Sequence, residues 1–244
     1  MRKEDNMKFS CGKEIILSAV QTTSKAAAGK SSIPALEGIL MELEGNTLTV
    51  TGYDLDIGIK TSIEVNGIES GNIVINARMA GDIIRKMPSG DLTFECGGNN
   101  IAEITGRDTN FSVMCMSADD YPNVPQVNPE TSFTMPQKLL KSMIVQTKFA
   151  VATVDNKPAL MGCKFELEDN VLSVAAVDGV RIALRQEPLT YNNMSFIVPA
   201  KTLEELTHIL SDDNEKNVIV SVDKNQISFT VDGYIMISRL LDGE

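Results

Sequence analysis

The chain has 244 residues, 43% of them hydrophobic and 23% charged, and no apolar run near the roughly 20 residues that a bilayer crossing requires, which excludes a helical membrane span. A formal net charge of −11 argues against a protein coated with nucleic acid over its whole surface. Four scattered cysteines (Cys11, Cys96, Cys115, Cys163) and a single histidine, His208, offer no metal-ligand spacing and no imidazole pair, so neither metal nor cofactor is expected.

The first six residues are too charged and too short for a secretory signal, and Met7 reads as an alternative start, so a cytoplasmic chain with an extension over 1–6 is expected. From Met7 to Cys11 the pattern alternates as a strand, 12–30 reads as a helix, and 36–43, 47–51 and 57–65 read as three strands. That makes one β-α-β-β-β unit. A second follows in strand 72–76, helix 77–87 ending before Pro88, and strands 91–96, 101–105 and 110–116. Residues 119–130 carry three prolines among polar residues, which suits a linker. Beyond it the plan repeats, with helices at 136–149, opened by Pro136, and at 200–211. The expected divisions are a domain over 7–122, a linker over 123–130 and a domain over 131–244. Three of the cysteines fall in the strand patterns, where a buried thiol acts as a small hydrophobe.

An internal repeat supports this division. Asn46–Ile59 (NTLTVTGYDLDIGI) matches Asn170–Ala183 (NVLSVAAVDGVRIA), aligning Asp54 with Asp178 at an offset of 124 residues. Asn72–Arg78 (NIVINAR) matches Phe196–Lys201 (FIVPAK) at almost the same offset. The fold class expected is α+β: two tandem domains, each of two β-α-β-β-β units, with helices on one face and antiparallel sheets on the other. Domain one closes with a strand leading into the linker, whereas the strand Tyr234–Leu240 is followed only by Leu-Asp-Gly-Glu. A third repeat beyond this sequence is therefore expected.

Charge is sorted by element type. The four helical windows hold ten basic residues (Lys13, Lys25, Lys30, Arg78, Arg85, Lys86, Lys138, Lys141, Lys148, Lys201) and four acidic ones (Glu14, Asp82, Glu204, Glu205), a charge of +6. The other residues hold 12 basic and 29 acidic side chains, a charge of −17. Amphipathic helices commonly carry lysines on a solvated face. Repetition over four helices points further, to a surface that tracks phosphates without reading bases.

Taken together, Met7-Lys-Phe9, Ile33-Pro-Ala-Leu36, Leu48–Leu55 (LTVTGYDL), Ala118–Pro122 (ADDYP), Pro158–Gly162 (PALMG), Ala176–Ala183 (AVDGVRIA) and Phe196–Lys201 (FIVPAK) occur in an order and spacing that resembles the β subunit of bacterial DNA polymerase III, the sliding clamp, from Met7 to Glu244. The resemblance implies a non-catalytic processivity factor: three such domains per chain, two chains closing head to tail, helices on the inner wall and sheets outside. Double-stranded DNA would be held by topology and without base readout. It implies DNA contacts at Lys30, before Ser-Ser-Ile-Pro, and at Lys201, at a helix start. Lys13, Lys25, Arg78, Arg85, Lys138, Lys141 and Lys148 are further candidates by charge alone. Polymerase and clamp-loader peptides would enter an apolar groove whose domain-two side is Leu160, Val177, Gly179, Val180, Arg181 and Ile182. Val177 and Val180 depart from the threonine and histidine of some members, which changes the expected polarity. Closure of a homodimer would use Met79, Met87 and Arg107 on domain one, and without a third domain the chain is expected to be monomeric.

Two rival readings stay open on the residues alone. Asp54 and Asp56 form a D-x-D that could hold a divalent cation in a hydrolase or phosphotransferase. Against this, Asp54 recurs as Asp178 whereas Asp56 becomes Val180, which suits a turn-ordering aspartate. The other rival is a β-rich interaction module unrelated to DNA, which gives no reason for cations to gather on helices.

Overall fold

A computed structural model describes residues 6–98, 100–153 and 157–243. The chain divides into two compact units between Pro125 and Gln126, inside the expected linker.

In the first unit the elements are β1 (Met7–Gly12), α1 (Lys13–Thr23), β2 (Gly38–Glu44), β3 (Thr47–Tyr53), β4 (Ile57–Glu64), β5 (Asn66–Glu69), β6 (Gly71–Asn76), α2 (Ala77–Lys86), β7 (Asp91–Gly97), β8 (Ile101–Gly106) and β9 (Thr109–Met116). The two β-α-β-β-β units are not separate. Strand β1 of the first pairs with β7 of the second, and β6 of the second pairs with β2 of the first. Two antiparallel sheets result, β4-β3-β2-β6 and β5-β1-β7-β8-β9, joined where Val74 and Ile75 meet Met116 and Cys115. The exchanged strands are fixed in register by packing. Phe9 lies opposite Phe94 with ring centroids 4.8 Å apart, a contact worth about 1 kcal/mol beyond its buried area.

In the second unit the elements are β10 (Thr131–Pro136), α3 (Gln137–Thr147), β11 (Gly162–Glu168), β12 (Val171–Val177), β13 (Ile182–Pro188), β14 (Met194–Pro199), α4 (Ala200–Thr207), β15 (Asn217–Val222), β16 (Gln226–Val231) and β17 (Tyr234–Arg239). The same exchange occurs. Strand β10 pairs with β15, and β14 pairs with β11, where Phe165 stacks on Phe196 at 5.4 Å.

Each helix buries a stripe at helical spacing: Ile16, Ala19, Val20 and Thr23 on α1; Ala77, Ala80, Gly81 and Ile84 on α2; Gln137, Leu140, Ile144 and Thr147 on α3. The first helix is shorter than the 12–30 pattern suggests. Thr23 donates its hydroxyl to the carbonyls of Ala19 at 2.8 Å and Val20 at 3.3 Å, and only a 3-10 turn over Ser24–Ala26 follows. Thr147 does the same to Met143 and Ile144 at the matching position of α3. Lys30 and Lys148 are consequently not α-helical: Lys30 is on a bend and Lys148 opens a 3-10 turn. The strand expected over 36–43 begins at Gly38, because Pro34–Glu37 forms a 3-10 turn, and Pro158–Met161 repeats that turn in the second unit. Strand β5, too short and too polar to signal itself, is added to β1 as an edge.

Two glycines within regular elements do not tolerate side chains equally. A Cβ at Gly52 would lie 2.0 Å from the Thr23 carbonyl oxygen, where β3 passes beneath the end of α1. By contrast, a Cβ at Gly81 in α2 meets nothing within 4 Å. We expect Gly52→Ala to destabilise the first unit by about 3 kcal/mol, whereas Gly81→Ala stabilises it by about 0.8 kcal/mol through helix propensity. Urea denaturation of the two variants checks both signs. All four cysteines are free and buried. Burial pushes the Cys11 thiol up to about 12, with Asp91 adding to it, and the Cys163 thiol up to about 11. At pH 8 both therefore remain thiols, and an aromatic disulfide reagent should label native protein at least tenfold more slowly than protein in denaturant; prompt labelling would contradict this packing.

Candidate nucleic-acid interface

The structure divides the ten basic residues of the helical windows, nine of them candidate DNA contacts, into three groups. Lys13 is tied up within the fold: its ammonium donates to the carbonyls of Arg85 at 3.0 Å and Met87 at 2.7 Å, the orphan acceptors at the end of α2. Two of the three ammonium donors of Lys13, a phosphate candidate by charge, are thus engaged within the fold. Gln137, its counterpart at the 124-residue offset, holds the same place in the second unit. Fully buried, it accepts from the Ser211 N–H at 2.8 Å and donates to the Asn217 carbonyl at 3.1 Å and the Asp232 carboxylate at 3.3 Å.

A second group is paired with carboxylates. Asp82 receives Arg85 at 3.0 Å and Arg78 at 3.9 Å, Asp212 receives Lys141 at 2.8 Å, and Glu204 receives Lys148. Glu204 also lies 3.7 Å from His208, which is exposed on the turn after α4.

In the third group, Lys25, Lys30, Lys86 and Lys138 make no ion pair among the described residues, and all but half-buried Lys25 are exposed. Lys201 is exposed at the start of α4. Local chemistry places these residues. Asn76 caps α2 by accepting the Met79 N–H at 3.1 Å, and Arg85 and Lys86 fall in its last turn, where cations suit the helix dipole.

The other expected site lies on the β12–β13 hairpin. Val177 pairs with Ile182 across the strands, and both side chains are exposed, Ile182 to 72%. Between them Gly179 has a φ of +90°, and Val180 at the tip is 93% exposed. Asp178 shapes this turn by accepting the N–H groups of Val180 at 3.2 Å and Arg181 at 3.1 Å, and it takes the Arg181 guanidinium at 2.7 Å. The Val180 hydrogen bond first, then those of Arg181, hold the Asp178 carboxyl below the usual carboxylate range. Asp54 does the equivalent work for Asp56 and Ile57 at 3.0 and 2.7 Å. The repeated aspartate is thus a turn former in both units.

Sequence reading missed Phe149. It is 60% exposed, and the Arg181 guanidinium carbon sits 5.9 Å from its ring centroid. An aromatic residue placed after Lys148 at the end of the helix pattern, off its buried stripe, was the available signal. Leu160 is half-buried; its carbonyl accepts from Ala152, and Met161 beside it is exposed. The hairpin surface is open. A cavity of about 370 Å³ elsewhere in the unit, lined by residues including Glu130, Phe196, Asp223 and Leu241, shares no residue with it.

Of the three residues expected at a domain-one interface, Met79 is half exposed on α2 and Arg107 is exposed in the β8–β9 turn with a φ of +46°. Met87 is corrected. Only 2% exposed, it belongs to the core of the first unit and packs beside Gly106, so it presents no surface.

Comparison with known proteins places these features in a family. Models of the DNA polymerase III beta subunit match residues 7–125 with the N-terminal domain and residues 134–244 with the central domain. A beta sliding clamp from Halalkalibacterium halodurans is 33% identical over 98% of this chain, and one from Bacillus subtilis is 33% identical over 97%. The chain spans 66% and 65% of the lengths of those two proteins. Among solved structures, a DNA polymerase III beta subunit from Eubacterium rectale superposes with a TM-score of 0.94 and the Bacillus subtilis sliding clamp with 0.93, each at 32% identity over 98% of this chain and 66% of the other. With both domain models matched in order and the fold shared along its length, the chain belongs to the DNA polymerase III beta subunit family.

Proposed function

We propose that this chain is the duplex-facing and partner-facing part of a DNA polymerase processivity factor, a non-catalytic sliding clamp that works in the cytoplasm. The observation that supports this reading is the distribution of cations. Lys30, Lys86, Lys138 and Lys201 are exposed on or beside helices in both units, while the remainder of a chain of formal charge −11 is acidic. Lysines without base-reading partners bind phosphate wherever it lies, and an acidic exterior disfavours DNA elsewhere. Retention by encirclement leaves each contact free to be weak, as sliding demands.

The exposed hairpin suits the second half of the role. Val177, Val180 and Ile182 present apolar surface, Arg181 stands over Phe149, and a short partner peptide with apolar anchors could lie against them. Valine at 177 and 180 removes side-chain hydrogen-bond donors at those two positions and leaves Arg181 as the donor on this side, so the peptides selected should be held largely by shape and apolar contact. In this reading head-to-tail closure involves Met79 and Arg107 and requires the remaining third of the relatives' length. The rival reading as a DNA-independent interaction module has no use for lysines distributed over both units.

Fluorescence anisotropy with labelled duplexes of different sequence tests the DNA role. We expect weak binding that is indifferent to base sequence, with log K falling linearly in log salt. Lys30→Ala with Lys201→Ala should flatten that slope by about 2, about 1 per lysine. Sequence-dependent affinity, or a slope untouched by the double substitution, would sink the reading. In light scattering the 244-residue chain should run as a monomer of 26.5 kDa; a stable closed assembly would overturn the proposed division of the interface.

A further inference from the structure

Four of the ten basic residues in the helical windows are already engaged by acids, two within α2 and two between the α3 and α4 segments. Asp212 lies on the turn beyond α4 and reaches Lys141 on α3 at 2.8 Å. Glu204, on α4, takes Lys148, in the turn that follows α3. Asp82 stands between Arg78 and Arg85 on α2. The carboxylates are well exposed: 49% for Asp82, 77% for Asp212 and 49% for Glu204. Pairs with an exposed carboxylate are weak and screened by salt, although Lys141 and Lys148 themselves are only 25% and 22% exposed. Lys13 provides the contrast, because its ammonium is held by backbone carbonyls that cannot move away.

We infer that Asp82, Asp212 and Glu204 are built-in competitors of DNA phosphate, tuning residues that hold Arg78, Arg85, Lys141 and Lys148 in exchangeable pairs. The inference rests on the duplex-binding reading above. A duplex presents phosphate charges about every 1.7 Å along its axis. A cation released by one phosphate as the duplex moves would otherwise remain an open charge seeking the next one. Here it returns to its carboxylate. Each contact is thus an exchange of one anion for another, which lowers affinity and levels the difference between successive positions along the duplex. The lysines without acids, Lys30 and Lys138 among them, supply the steady attraction; the paired cations join only where a phosphate outcompetes the carboxylate. The acids contribute to binding only through the cations they hold, and need not touch DNA.

The test compares five proteins in the same anisotropy titration over a range of salt: the unaltered chain; Lys30→Ala with Lys201→Ala; Asp82→Asn with Glu204→Gln and Asp212→Asn; Asp212→Asn alone; and a control with the same charge change as the triple variant at the ends of β2 and β11, Glu44→Gln with Glu168→Gln and Asp169→Asn. The amide variant should bind duplex about 3- to 10-fold more tightly at low salt, and its salt slope should steepen by about 0.9 for each cation released. The control should change affinity less and leave the slope as it was. Asp212→Asn alone, at the most exposed of the three acids, should show the slope change with an unaltered melting curve, which separates tuning from a packing role. An amide variant matching the control, or one with lower melting temperature and no slope change, would overturn the inference while the lysine double variant still weakened binding. If the unaltered chain shows no salt-dependent binding, the duplex reading and this inference fall together.

Discussion

Reciprocal strand exchange is the constraint on which each unit depends. Because β1 completes the sheet of β7–β9 and β6 completes the sheet of β2–β4, neither half of the first unit can close its sheet alone. The exchange also decides where the helices go. Each helix follows an exchanged strand directly, so α1 and α2 are delivered side by side, close enough for Lys13 to reach the end of α2. The stacked pairs Phe9–Phe94 and Phe165–Phe196 fall on these exchanged strands, where a slip of one residue would turn an aromatic ring from core to solvent.

Charge then follows architecture. The stripes of α1 and α2 that face the sheets are apolar and small, leaving the opposite faces free for Arg78, Arg85 and Lys86. A phosphate surface can be built this way at little cost to stability, since none of the exposed lysines is desolvated by folding. The same economy applies to the hairpin of the second unit. Asp178 satisfies the backbone of the turn locally, so Val180 can project almost fully into solvent without leaving buried polar groups behind.

Much of this was legible in the sequence because the signals were periodic or repeated. The alternation in β1 to β4, the stop of α2 before Pro88 and the match of Asp54 with Asp178 each carry local information that tertiary contacts did not overrule. The misses have physical causes. Helix α1 stops early because the Thr23 hydroxyl bonds back into the preceding turn, and an alanine-rich continuation gives no hint of it. Strand β5 has a single exposed apolar side chain, Ile68, and exists through pairing with β1. Strand exchange is invisible to any window of sequence, since it concerns which strand each one meets. For the sites, charge alone could not separate Lys30 from Lys13, or expose Met87 as core, because a lysine facing solvent and one facing a carbonyl have the same letter.

The positions of Lys13 and Gln137 show how the two units have drifted while keeping one geometry. Both residues open the first helix and both fasten it to the tail of the second, but one does so by donating to the Met87 carbonyl and the other by accepting from the Ser211 N–H. The fastener has been rebuilt, from a side chain that only donates in the first unit to one that both accepts and donates in the second, and each version suits its own receiving backbone. Transplanting α1 into the place of α3 would leave the Ser211 N–H without its acceptor, because an ammonium can only donate. The tandem copies, alike in outline, are therefore no longer interchangeable parts.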